Sequence, residues 1–205
     1  MMSIDRAGRW AGVAAAPLWT AAVLGFGAAL PGFEQALHPL ALLGASGVPN
    51  AMAFNLLAFL LPALLAGWVA LILLRRVAAE PRWSLRIGAQ LVLLSVLAFA
   101  AMGLLPLDSS DLENRASQLH ASAWMLWVVA FVPGSLLLAT GGRGDWRALA
   151  RLSLLCGLGV AGGAFVLAAL VPVALAQRLA FAAWLLWLAA APWAWPARGA
   201  DRRPG

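Results

Sequence analysis

The sequence predicts an all-α fold, a polytopic six-transmembrane-helix bundle, and three observations carry that expectation. The residues are 63% hydrophobic and 11% charged, with a mean hydropathy of +0.88, whereas soluble domains are roughly 25% charged. Six apolar runs follow one another along the 205 residues, each close to the about 20 residues a helix needs to cross a bilayer. Between them lie short segments, so residues 1–205 read as one membrane domain. The third observation is where the charge sits. All 14 basic residues are arginine. Twelve of them fall in alternate segments: Arg6, Arg9, Arg75, Arg76, Arg82, Arg86, Arg143, Arg147, Arg151, Arg198, Arg202 and Arg203. The other segments hold only Arg115 and Arg178. Arginine accumulates in cytoplasmic loops, which places both termini in the cytoplasm and the protein in a bacterial inner membrane.

Taken in order, the first span covers about residues 10–30, after a basic tail. The apolar run is longer than the about 7–15 residues of a signal-peptide core, so it reads as a retained helix. Residues 31–50 form a polar-punctuated segment too long for a plain connection between helices, which typically takes about 2–8 residues. It is also rich in leucine. It is expected to fold back as an outer cap, turning at Gly44–Pro49. The second span, 51–74, contains Pro62 and stops at Arg75-Arg76. The third, 87–107, runs into the polar stretch Asp108 to His120. The fourth, 120–140, has Pro133-Gly134 inside it. The fifth, 152–176, is glycine-rich, and Gly159 and Gly163 form a small-xxx-small pair suited to close helix packing. Gln177-Arg178 is the expected turn into the sixth span, 179–195. Tryptophans near the run ends, including Trp124, Trp127, Trp184 and Trp187, read as an interfacial belt.

This topology puts Glu34, His38, Asp108, Asp111, Glu113 and His120 on the outer face. Both histidines of the chain and half of its eight acidic residues share that side. Asn55 lies about one turn below the outer boundary of the second span. The expected ligand pocket is therefore Glu34, His38, Asn55, Asp108, Asp111 and His120, with His38 in hydrogen-bond or one-water reach of Asp108, Asp111 or His120. Asn55 is expected beneath them, donating to the backbone of the cap. Two histidines and a carboxylate (His38, His120 and Asp108) are enough for a catalytic zinc with an open position, or for general acid–base work. The same residues also read as an ordinary solvated loop. No pattern of the HExxH kind surrounds either histidine.

Other residue types exclude more than they suggest. No span carries a charge at its centre, as ion pumps and proton relays require. Cys156 sits in an apolar run with nothing to lower its pKa, so it reads as a packing residue. The arginine clusters have no soluble fold to present them to nucleic acid; membrane lipids are the expected partners. A membrane-protein partner or a homo-oligomer is the further expectation from the Gly159/Gly163 face.

His38-Pro39, followed by Leu43-Gly44-Ala45-x-Gly47-x-Pro49 and then Phe54-Asn55-x-x-x-Phe59, resembles the signature of the bacterial domain-of-unknown-function family 998. In that family the motif also lies between spans one and two. Gly103-Leu104-x-Pro106-Leu107-Asp108, Arg115 and His120-Ala121-x-Ala123-Trp124 resemble its second piece. Ala41 stands where the family pattern commonly has serine, which removes a serine nucleophile there. The resemblance implies six helices and brings no established activity. Two functions stay open: a lipid- or partner-binding accessory protein, and a membrane-embedded hydrolase acting on lipid headgroups at the outer leaflet, metal-dependent if zinc is bound.

Overall fold

Six helices long and apolar enough to cross a membrane make up the structure, a computed structural model that describes residues 4–196. Arg198, Arg202 and Arg203 lie outside the described residues. The helices are α1 (Ile4–Ala29), α2 (Ala51–Val77), α3 (Trp83–Leu104), α4 (Arg115–Gly141), α5 (Gly144–Ala169) and α6 (Val173–Ala194). No strand occurs among the described residues. Each helix packs on the next, and α6 returns to α1, so the six close a ring in chain order. Large side chains such as Leu64, Leu97, Leu155 and Leu158 are exposed on its outer surface. An apolar surface of that extent is stable against lipid, not water, and the chain is a multi-pass membrane protein.

Local chemistry sets the helix ends. Asn114 caps α4 by accepting from the Ser117 N–H at 2.9 Å, which starts that helix a turn and a half before His120, where hydropathy alone places its beginning. Pro172, extended and immediately before α6, starts that helix at Val173. Gln177 and Arg178 therefore lie inside α6, and the turn falls at residues 170–172. The expectation that they form the connection is corrected accordingly. Within α2 the turn Asn55–Leu60 is widened to a π-helix, just ahead of Pro62, whose missing N–H the helix must accommodate.

The core is aromatic. Phe181 on α6 meets Trp19, Phe59, Phe99, Trp124 and Trp127, with ring centroids 4.9–6.5 Å apart. Trp127, Trp184 and Trp187 are completely buried, and the Trp187 indole donates to Ser153 Oγ at 2.9 Å. They are core residues, not members of an interfacial belt. The helices begin earlier than the apolar runs suggest, so these tryptophans fall near the middle of α4 and α6 and not at their ends.

Glycines set the closest approaches. A Cβ on Gly88 would stand 2.9 Å from the Gly134 carbonyl oxygen, so α3 and α4 meet backbone to backbone. Gly163 faces the backbone of α6 at Ala176 and Ala180, and Gly159 faces Ala183. The small-residue face of α5 is thus filled within the chain, by α6.

One end of the ring gathers most of the arginines. There Arg76 pairs with Asp5 at 2.7 Å and donates to the Pro196 carbonyl. Arg82 reaches the Gly141 carbonyl at 2.8 Å, and Glu80 accepts from the Trp146 indole at 2.9 Å. The opposite end is closed by residues 31–50.

Candidate functional site

Residues 31–50 form a cap because their backbone alternates fixed extended and left-handed positions. Gly32 at φ +76°, Gly47 at +83° and Asn50 at +62° are the left-handed ones. Pro39 leads into a short 3-10 helix, Leu40–Gly44, and the chain turns at Gly47 before entering α2. Leu40, Leu43 and Ala45 point down and are buried. The cap is then tied to four places on the ring. Gln35 Nε2 donates to the Val23 carbonyl of α1 at 2.9 Å. Asn55 Nδ2 of α2 donates to the Gly44 carbonyl at 2.9 Å. Ser46 N–H donates to the Leu107 carbonyl, just past α3, at 2.9 Å. Arg178 of α6 donates through Nε and Nη2 to Gln35 Oε1, at 3.2 and 2.9 Å, and through Nη1 to the His38 carbonyl at 3.0 Å.

The expected ligand pocket is placed differently, residue by residue. Asn55 is buried and donates to the cap backbone, as its position in the span suggests. Glu34 is exposed, and its N–H donates to His38 Nδ1 at 2.9 Å. The His38 ring is held in that local turn, 5.5 Å from the ring of Phe33. No hydrogen bond among the described residues joins His38 to Asp108, Asp111 or His120. The Asp108 carboxylate is spent on its own loop: Oδ1 accepts from Ser110 N–H and Oγ–H, and Oδ2 from Asn114 Nδ2. The Ser110 side chain and backbone hold its pKa below the ordinary aspartate value. Asp111 Oδ1 accepts from the Glu113 N–H in a second local turn. These acids build the α3–α4 connection. Among the described residues no three His, Cys, Asp or Glu side chains are gathered as a metal ion would need, so His38, His120 and Asp108 do not assemble the zinc set considered above.

His120 lines a cavity beneath the cap. The space measures about 170 Å³ and lies where the cap meets α2, α3, α4 and α6. Pro39, Leu40 and Ala41 of the cap form one wall. Phe59, Met102, Trp124 and Phe181 form the apolar remainder, and His120 and Gln177 supply the polar groups. His120 Nδ1 lies 2.8 Å from the Leu105 carbonyl oxygen. A carbonyl only accepts, so Nδ1 carries the proton and Nε2 of the neutral ring is an acceptor. The Gln177 carboxamide has no hydrogen-bond partner among the described residues. His120 and Gln177 are both half-buried at the rim of the space, and the Met102 carbonyl lies near the His120 ring beside that of Leu105.

A larger crevice of about 760 Å³ lies on the outer face between α2 and α3. Its walls, Leu60, Leu64, Trp68 and Leu97 among them, are apolar side chains facing where lipid lies. It offers no orienting group.

Gln177, Arg178 and Phe181 are the functional-end residues that sequence reasoning missed. A signal was present: Arg178 is one of only two arginines on the arginine-poor side.

A family model described as "Protein of unknown function (DUF998)" matches residues 13–194. No curated protein and no solved structure matches the chain. Pro39, Phe59, His120, Ala121 and Trp124, which all belong to the motifs quoted for the resemblance, line the cavity.

Proposed function

The chain belongs to domain-of-unknown-function family 998, and we propose that it is a binding protein of the bacterial inner membrane that holds a small amphipathic ligand beneath its cap. The observation that carries this reading is that His120 and the unpartnered Gln177 carboxamide line one cavity otherwise walled by apolar and aromatic groups. Binding sites for small molecules have this composition: mostly apolar walls and a few placed polar groups that fix orientation.

The arginine bias supports an orientation with both termini cytoplasmic and the cap outside. The ligand would then enter from the outer interface of the membrane. Hydrolysis has less support. It needs a nucleophile or an activated water beside the base, and no Ser, Cys, Asp or Glu side chain is among the groups lining the cavity. His120 is oriented by a backbone carbonyl, not by a carboxylate.

Photolabelling in native membranes tests the reading. A short alkyl alcohol bearing a diazirine should label the walls of the cavity, Leu40, Met102 and Phe181, and lose that labelling when Ala41→Phe fills the space. Labelling confined to lipid-facing residues such as Leu64 and Leu97 would contradict it.

A further inference from the structure

Three properties of the cavity narrow the chemistry of what it holds; the inference rests on the binding reading above and deepens it. The first is size. About 170 Å³ is close to the roughly 150 Å³ of an apolar protein cavity that accepts benzene. The part of a ligand held inside is therefore the size of a single ring or a short chain.

The second property is the walls. Phe59, Trp124 and Phe181 present ring edges and faces to the space. Trp124 and Phe181 stand at 74° with centroids 5.1 Å apart, and Phe59 and Phe181 at 71° and 6.5 Å. Offset and edge-to-face arrangements of this kind favour a further ring over an alkyl chain.

The third is polarity. No side chain lining the cavity carries a full charge, so an ionic group would lose its hydration without a counter-charge. Nε2 of His120, the acceptor nitrogen of the ring protonated on Nδ1, can take a donor. The Gln177 carboxamide offers both N–H and C=O. A hydroxyl satisfies both at once, donating to Nε2 and accepting from the amide. A ketone or a methyl ether has no proton to give.

The geometry points to a hydroxy-aromatic ring, a ligand of the phenol class, with its hydroxyl between His120 Nε2 and Gln177 and its ring against Phe59, Trp124 and Phe181.

Fluorine NMR of the full-length protein in detergent micelles tests this, with para-fluorophenol as the probe, para-fluoroanisole as the ring without a donor, and hexanol as the donor without a ring. Empty micelles give the partitioning baseline. The expected result is a saturable bound resonance for the phenol, with affinity at least about tenfold above that of the anisole, the scale of one hydrogen bond. Hexanol should displace it only weakly. Gln177→Leu, which breaks no hydrogen bond made among the described residues, should weaken phenol and anisole alike, because both oxygens accept from the amide. His120→Phe should erase the preference, provided its circular dichroism stays helical; the comparison of phenol with anisole on the unaltered protein decides the matter if it does not fold. Equal affinity for phenol and anisole, or displacement by hexanol at equal concentration, would overturn the phenol assignment and leave the amphiphile-binding reading standing. No saturable signal from either fluorinated probe would overturn the phenol assignment, and together with a failure of the alkyl diazirine to label the cavity walls it would remove the binding reading as well.

Discussion

Asn55 donates its side-chain N–H to the carbonyl of Gly44 at 2.9 Å, so a buried amide in the π-turn of α2 holds the cap from below. Gly44 is required by the same contact, because a Cβ there would collide with the Asn55 carboxamide. Leaving a buried polar group unpaired costs about 1–3 kcal/mol. Asn55→Leu is expected to lower thermal stability in detergent and to open residues 40–47 to proteolysis. Gly44→Val should do the same with Asn55 intact. A variant at either position with unchanged melting and unchanged cleavage would remove this contact from the account.

Arg178 closes the other side of the cap. Its guanidinium fork takes two bonds to Gln35 and one to the His38 carbonyl. Lysine carries the charge but not the fork. Arg178→Lys should therefore speed amide hydrogen exchange in residues 35–46, by at least about fivefold for the loss of roughly one net hydrogen bond, while the exchange of α3 and α4 stays unchanged. Equal protection in the lysine variant would mean that charge alone holds the cap.

Gly163 and Gly162 are neighbours with opposite demands. A methyl on Gly163 would stand 2.8 Å from the Ala180 backbone nitrogen, whereas one on Gly162 meets nothing within 4 Å. Overpacking against a backbone costs about 1–3 kcal/mol. Gly163→Ala should lower the melting temperature, and Gly162→Ala should leave it level or raise it. Equal effects would show that α5 and α6 are not packed as described.

Asp108 ties the α3–α4 connection through Ser110 and Asn114, and its pKa lies below the ordinary aspartate value. A carboxyl depressed on folding contributes fully above its unfolded pKa and loses that contribution as the pH falls through its folded value. Protection of residues 108–117 against exchange should therefore hold at neutral pH and fall away only in acid below the usual carboxylate range. Asp108→Asn should weaken it at neutral pH, converge with the wild type in acid, and so flatten the acid-dependent part of the curve.

Particular residues explain how far the sequence could be read. The spans were legible because apolar length and the arginine count are properties of whole segments, insensitive to which face a residue takes. The cap was legible for a related reason: twenty residues with leucines cannot hang in water. Asn55 followed, since a buried amide directly beneath such a cap has few partners but its backbone. That His38 and His120 each take a backbone partner of their own was not legible. His38 satisfies its ring within four residues, on the Glu34 N–H, and a local turn of that kind leaves no mark in composition. The Arg178–Gln35 contact joins residues 143 apart, and hydropathy placed Arg178 in a turn because it stops at the first charge. The cavity is missed because it depends on which side of each helix faces inward, and these helices are apolar on both.

The nitrogen-15 spectrum of His120 reads the protonation of its ring directly. With uniformly labelled protein in nanodiscs, and His38→Gln to simplify assignment, Nδ1 should appear protonated, held by the Leu105 carbonyl, and Nε2 as an unprotonated imine-type nitrogen. Adding para-fluorophenol should shift Nε2 toward the hydrogen-bonded range and leave Nδ1 in place, with Gln177→Leu weakening the response. A ring protonated at Nε2, or an Nε2 resonance that does not move when the ligand is added to saturation, would contradict the claim that His120 receives a ligand beneath the cap.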